Sequence, residues 1–102
     1  MDAERIATLK KLLEMDPDDT FSRYALGLEH RQDEPALALE HLGEVVRRDP
    51  LYVPAYFMAG LIHTDGGNIG EARRWLERGI ATARQVGDDH ALGEMEEALD
   101  QL

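Results

Sequence analysis

The chain has 102 residues, 43% of them hydrophobic, which is enough for one globular fold with a modest core. It carries 21 acidic and 11 basic residues, a formal net charge of −10, and no cysteine. The negative charge argues against nucleic acids and anionic membranes as partners, since both are bound by cationic side chains. The lack of cysteine excludes disulfides and thiolate chemistry.

The first segment, residues 1–17, has the pattern of an amphipathic helix and ends in Asp-Pro. Leu9, Leu12 and Leu13 lie where such a helix places its apolar side chains. The segment lacks the long apolar core of a signal peptide, so we expect a cytoplasmic protein. It looks like the second half of a repeat whose first helix is absent.

A repeat follows, because residues 15–30 and 48–63 align without a gap as MDPDDTFSRYALGLEH and RDPLYVPAYFMAGLIH. Gly27 corresponds to Gly60 in this alignment. After a loop that is one residue longer in the second copy, the correspondence continues through two amphipathic helices. A fixed period of this length is typical of repeat architectures.

Each copy has the pattern helix, turn, helix. The breaks RQDEP and TDGGN are rich in turn-forming residues, and no segment has a convincing strand pattern. A glycine inside a helix costs about 1 kcal/mol relative to alanine. The recurrence of Gly27 at Gly60 therefore predicts that a neighbouring helix approaches closely at both positions.

The segment between Asp49 and Asp65, DPLYVPAYFMAGLIHTD, has no charge between its two end residues. A helix needs roughly 20 apolar residues to span a bilayer, and this run is shorter and contains a proline and a glycine. We therefore expect no membrane insertion. The apolar surface must be buried within the protein or reserved for a partner.

The last segment, residues 88–102, begins with two aspartates and contains neither lysine nor arginine. One stripe of the expected helix is apolar, and the opposite face is acidic. This pattern predicts a capping helix with a solvated outer face. The apolar stripe consists of Ala91, Leu92, Met95, Ala98, Leu99 and Leu102.

These features resemble the tetratricopeptide repeat (TPR) family, and in particular its small stand-alone bacterial members. The family has units of about 34 residues with small residues at two fixed positions and a closing proline. Those positions match Gly27, Ala38 and Pro50 in one unit, and Gly60 and Ala72 in the next.

The resemblance implies an all-α fold: a short right-handed α-solenoid of antiparallel helix pairs with a C-terminal capping helix. It also implies a single domain, divided into a half repeat and two full repeats before the cap. The expected parts are a half repeat at 1–17, repeats at 18–50 and 51–86, and a capping helix at 88–102.

The resemblance further implies a non-catalytic protein–protein interaction module, an adaptor or scaffold that holds a peptide or helix in a concave groove. Family positions that face this groove are mostly apolar or aromatic here. They are Phe21, Tyr24, Leu28, Arg31, Phe57, Met58 and Leu61. An open alternative is that the capping helix covers these residues through its own apolar stripe.

A second hypothesis is self-association. Without a preceding helix, Leu9, Leu12 and Leu13 would lack their usual neighbour, and an exposed apolar stripe is a natural contact for a homodimer. This hypothesis is compatible with the first, since the two surfaces differ.

Catalysis, cofactors and metals are not expected. Ser22 is the only serine, and no Ser-His-Asp or Cys-His grouping is available. His30 and His63 occupy equivalent repeat positions and replace a packing tyrosine of the family. No cysteine is present to assist them, so we interpret them as packing residues.

Overall fold

In the computed structural model, residues 2–102 are described, and all regular secondary structure among them is α-helical. The helices pack as sequential antiparallel pairs, as the sequence predicts. In chain order they are α1 (Ala3–Met15), α2 (Thr20–His30), α3 (Pro35–Arg48), α4 (Val53–Asp65), α5 (Ile69–Val86) and α6 (Asp89–Asp100).

The helices form two compact units that meet in sequence between Asp49 and Pro50. In the N-terminal unit α1 packs on α2, and α2 packs on α3. In the C-terminal unit α4 packs on α5, and α6 contacts both of them. The expected half repeat, repeats and cap remain a prediction from the sequence.

Aspartate side chains begin three of the helices. Asp2, Asp19 and Asp88 each accept hydrogen bonds from backbone N–H groups in the first turn of α1, α2 and α6. These N–H groups have no partner within the helix, so a capping carboxylate stabilises the helix end. Helices α3 and α4 have no side-chain cap and instead carry Pro35 and Pro54 in the first turn, where proline is tolerated.

Helix α5 is the longest and ends at Val86, as the sequence predicts. The next residue, Gly87, has φ of 76°, the left-handed conformation that glycine adopts most readily. Its amide donates to carbonyl groups of the last turn. This cap stops α5 and redirects the chain into α6.

The helix pairs are closely spaced at the glycines. A Cβ atom on Gly60 would lie 2.7 Å from Leu76 Cδ2, and one on Gly27 would lie 3.3 Å from His41 Cβ. The predicted close approach is confirmed at both positions, because a side chain there would displace its neighbour.

Each unit has its own core. In the N-terminal unit, Ile6 and Leu9 of α1 pack against Ala25 and Leu26 of α2. In the C-terminal unit, Met95 of α6 is fully buried in a cluster with α4 and α5. The rest of the predicted α6 stripe is half-buried against this cluster and consists of Ala91, Leu92, Ala98, Leu99 and Leu102.

Candidate peptide-binding surfaces

The segment of residues 49–65 contains α4, and the side chains of this helix are divided between two environments. Tyr56, Ala59 and Gly60 are buried within the C-terminal unit. Phe57 and Leu61 are half-buried. One face of α4 therefore holds the fold together, and the adjoining face leaves apolar surface accessible.

The buried face of α4 is anchored by Tyr56. Its hydroxyl donates a hydrogen bond of 2.7 Å to the carbonyl of Pro50, and its ring centroid lies 5.9 Å from that of Trp75. The guanidinium of Arg78 lies 5.2 Å from the Tyr56 ring centroid and 4.8 Å from the Trp75 centroid, so a cation–π contact joins α4 and α5. Sequence reasoning missed this cluster, although two aromatic residues and an arginine on neighbouring helices of one repeat favour a cation–π contact.

The half-buried face of α4 lines an open trough of about 240 Å³ beside α6. Phe57, Leu61 and Ala98 supply its apolar surface. Polar side chains border it, contributed by Glu94, Glu97 and Gln101. The capping helix thus narrows the space next to α4 without filling it.

Phe57 is held in place by the core beneath it. Its side chain packs against the cluster that contains Met95, which fixes the floor of the trough. Helix α6 therefore covers part of Phe57, whereas Leu61 still borders the trough. Met58 is half-buried and does not line the trough.

The N-terminal unit carries the other predicted groove residues. Phe21 lies in the first turn of α2 and is 63% exposed. It is the only aromatic residue among the exposed large apolar side chains of residues 2–102. Tyr24, Leu28 and Arg31 follow along the same helix and its C-terminal cap and are half-buried. This unit therefore presents a separate aromatic surface of its own.

The predicted dimer residues of α1 have different exposures. Leu9 is 6% exposed because it packs against α2, and Leu13 is half-buried against the same cluster. Leu12 is 39% exposed, and Met15 at the end of the helix is 75% exposed. The accessible apolar surface of α1 is thus centred on Leu12 and Met15.

The histidines do not form a metal site within residues 2–102, where no group of three His, Cys, Asp or Glu side chains could hold an ion. His30 is buried and stacks on His41, with ring centroids 5.7 Å apart. Burial lowers the pKa of His41, and the neighbouring His30 and Arg23 lower it further. Sequence reasoning missed this pair, since the two residues lie on different helices.

The ring nitrogens of His30 make no hydrogen bond within the described residues, and Glu34 Oε1 lies 3.8 Å from Nδ1. Beside this residue is an open cavity of about 420 Å³ between α1 and the α2–α3 turn. Ala3, Ile6, Ala7 and Lys10 form its other wall. The His30 nitrogens are covered, so they are not available to a ligand in that cavity.

Comparison with known proteins places this chain among small bacterial repeat proteins. A TPR repeat-containing protein of Pseudomonas aeruginosa is 34% identical over 91 residues, which cover 88% of this chain and 87% of that protein. The chain belongs to the tetratricopeptide repeat family. No protein-family model matches it.

Solved TPR structures agree with this assignment. The solution structure of a tetratricopeptide repeat domain protein from Salinibacter ruber is 34% identical, with a TM-score of 0.78, and the match covers 84% of this chain and 88% of that one. A solution structure of a Bordetella parapertussis protein is 28% identical, with a TM-score of 0.83 over 99% of this chain and 88% of that one. The TPR resemblance is therefore confirmed over the 84% to 88% of this chain that the TPR proteins match.

None of the TPR helices in residues 2–102 is both long enough and apolar enough to cross a bilayer. The short apolar α4 is instead largely committed to packing against α5 and α6.

Proposed function

We propose that this TPR protein is a non-catalytic interaction module that holds a helix or an extended apolar peptide of a partner protein. The trough formed by Phe57 and Leu61 carries the proposal, because it keeps apolar surface accessible on a helix whose other face is committed to the core. An amphipathic peptide can bury its own apolar side chains on such a surface.

The N-terminal unit supports the same function through its own aromatic surface. Phe21 exposes most of its ring, and Leu28 lies further along the same helix. Singly exposed apolar residues are common on soluble proteins, so the weight rests on their alignment along α2. We propose Phe21, Tyr24, Leu28 and Arg31 as contact residues of this unit.

A capture experiment tests this function. Wild-type protein would be immobilised beside Leu61→Ser and Phe21→Ser, with Val86→Ser as the control, since Val86 is an exposed apolar residue at the end of α5. Partners retained by wild type and Val86→Ser should be lost or weakened by one of the first two variants. Circular dichroism would verify that every variant keeps its helical content.

The proposal fails if the captured proteins are the same for all four forms, or if Val86→Ser loses them as completely as Leu61→Ser. The first result would show that the partner does not use the apolar surfaces of α4 and α2, and the second would show that the loss of capture is not specific to them.

Self-association is a second candidate, favoured by the exposure of Leu12 and Met15 on α1. Light scattering across a range of concentrations tests it, with Leu12→Glu as the disrupting variant. Leu9→Glu is unsuitable because Leu9 is buried and its replacement would unfold the N-terminal unit. A wild-type mass that stays monomeric at all concentrations would exclude this candidate.

A further inference from the structure

We infer that the trough between α4 and α6 selects a cationic amphipathic segment of a partner protein, with lysine or arginine beside an apolar stripe. This inference rests on the proposed function and adds the chemistry of the partner. It follows from the contrast between the floor of the trough, which is apolar, and its α6 border, which is acidic.

The floor determines that part of the occupant is apolar. Phe57, Leu61 and Ala98 offer no hydrogen-bonding groups in their side chains, so water there is readily displaced by an aliphatic or aromatic side chain. The trough, at about 240 Å³, is smaller than the pockets that enclose drug-sized molecules, which begin at roughly 300 Å³. One or two side chains of a peptide fit this space better than a cofactor.

The border determines the charge of the occupant. Glu94 and Glu97 lie on the α6 side, and α6 continues to Asp100 with no lysine or arginine from residue 88 onward. Within residues 2–102 Glu97 has no ion-pair partner, and Glu94 is paired only with His90, at 3.2 Å, an imidazole that is charged only when protonated. Two carboxylates at the edge of an apolar surface attract a cation that arrives with the peptide.

The other side of α6 shows the contrast. Glu96 faces α5, where Arg84 lies 3.6 Å away and supplies a positive charge from within the protein. Glu94 and Glu97 face the trough and have no such arginine. A cation carried by a partner would therefore meet two carboxylates that no arginine within residues 2–102 neutralises.

Other occupants fit less well. A nucleic acid or an anionic lipid surface would bring more negative charge to Glu94 and Glu97. A second copy of this chain, with a net charge of −10, would be repelled for the same reason. A basic amphipathic peptide satisfies both the floor and the border.

Two synthetic peptides test the inference. Both form a helix of about five turns with leucines at positions i, i+3, i+4 and i+7, and they differ only in flanking residues, lysine in one and glutamate in the other. Binding would be measured by fluorescence anisotropy, and amide shifts in ¹⁵N-labelled protein would locate the site. The lysine peptide should bind with shifts concentrated at residues 57–61 and 94–101, and the glutamate peptide should bind at least about tenfold more weakly.

Charge variants sharpen the test. Glu94→Gln/Glu97→Gln should weaken binding of the lysine peptide by about three- to tenfold. This loss of affinity should shrink as the salt concentration is raised. The control Asp89→Asn/Glu96→Gln removes the same formal charge from α6 outside the trough. It should change affinity by less than about twofold, because Asp89 and Glu96 do not line the trough and Glu96 is already paired with Arg84.

The outcomes separate the inference from the proposed function. If both peptides bind the trough equally and Leu61→Ser weakens both, the interaction module stands and the selection for cations is wrong. The inference is also overturned if neither peptide binds, or if the control variant loses as much affinity as Glu94→Gln/Glu97→Gln. The capture experiment with Leu61→Ser and Phe21→Ser tests the module independently of peptide charge.

Discussion

At the scale of single residues, three glycines show how tightly the helix pairs are packed. Gly60 would place a Cβ 2.7 Å from Leu76 Cδ2, and Gly79 would place one 2.8 Å from Tyr56 Cβ. Gly27 is less crowded, at 3.3 Å from His41 Cβ. The sequence alignment predicts two of these contacts. It misses Gly79, because the corresponding residue in the other copy is Val45, and in the structure both Tyr56 of α4 and Met95 of α6 crowd the position.

We expect Gly60→Ala and Gly79→Ala each to lower the free energy of unfolding by about 1–3 kcal/mol, since the added methyl group meets atoms that are themselves buried. Gly27→Ala should cost less. Urea denaturation followed by circular dichroism would measure all three.

Gly93→Ala is the matched control, because a Cβ there meets nothing within 4 Å. It should stabilise the protein by up to about 1 kcal/mol through helix propensity alone. A similar stability for Gly93→Ala and Gly79→Ala would contradict the packing described here.

The stacked pair of His30 and His41 predicts a pH dependence. Burial of His41 lowers its folded-state pKa below the ordinary value of 6.5, with further lowering by His30 and Arg23 on α2 and by Lys10 on α1, against a smaller opposite effect of Glu40. The unfolded chain therefore binds a proton more readily than the folded one. The stability that neutral His41 contributes is complete above pH 6.5 and is lost as the pH falls below it.

Thermal unfolding between pH 7.5 and pH 5 would check this prediction. Wild type should lose stability over this range, and His41→Gln should lose less. His90→Gln serves as the control, since His90 is 88% exposed at its side chain and lies in the other unit. An identical pH profile for wild type and His41→Gln would contradict the assignment.

At the scale of secondary structure elements, the caps decide where helices begin. The carboxylate of Asp19 accepts from the backbone N–H of Ser22 at 3.1 Å and from its hydroxyl at 2.6 Å. Both hydrogen bonds lower the pKa of Asp19 below 3.8, the hydroxyl contributing more. By contrast, Asn68 before α5 makes no capping hydrogen bond through its side chain.

We expect Asp19→Ala to lower the thermal midpoint by about 2–8 °C at pH 7, the usual effect of removing an N-cap from a domain of this size. The loss should shrink as the pH falls below 3.8 and through the lower folded-state pKa of Asp19, because the cap is weakened once the carboxyl is protonated. Asn68→Ala, its control, should shift the midpoint by less than about 1 °C. Equal shifts for the two variants would argue against the capping role of Asp19.

The role of the apolar helix α4 becomes clear from the tertiary structure and not from its sequence pattern. Its buried side chains lie on more than one side, so periodicity alone does not separate the packed face from the accessible one. Repeat correspondence predicts close packing at Gly60, and the TPR resemblance implies that Phe57 and Leu61 face a groove. In the structure Gly60 is buried and Phe57 and Leu61 are half-buried, Phe57 also contributes to the core, and the groove role of both side chains stays a prediction.

At the scale of the whole molecule, the net charge of −10 predicts that salt stabilises the protein. Like charges repel within the folded chain, and the repulsion is greatest toward the C-terminus, where residues 88–102 have no lysine or arginine. Raising NaCl from about 20 mM to about 300 mM shortens the Debye length and should raise the thermal midpoint at pH 7. Salt should raise the thermal midpoint of a variant with Asp89→Asn and Glu96→Gln by less than that of wild type. A wild-type midpoint that falls as salt is raised would contradict the prediction.

The sequence by itself determined the helices, their caps, the repeat and the TPR assignment. The helices and caps follow from residues close together in the chain, such as Asp19 with Ser22. The repeat and the TPR assignment follow from a fixed spacing of small and apolar residues, which does not depend on the identity of the solvent-exposed side chains. The predicted α5 end at Val86 and the apolar stripe of α6 are of this kind, because helix periodicity and glycine conformation are local properties.

Only the tertiary structure decided which apolar residues remain accessible and what surrounds them. It paired His30 with His41, placed Arg78 over Tyr56 and Trp75, and brought Glu94 and Glu97 to the edge of an apolar trough. Each of these contacts joins different helices, and its distance depends on how closely two helix surfaces pack. Side-chain spacing along one helix cannot supply that distance, and for this reason the chemistry of the candidate binding site emerged only from the fold.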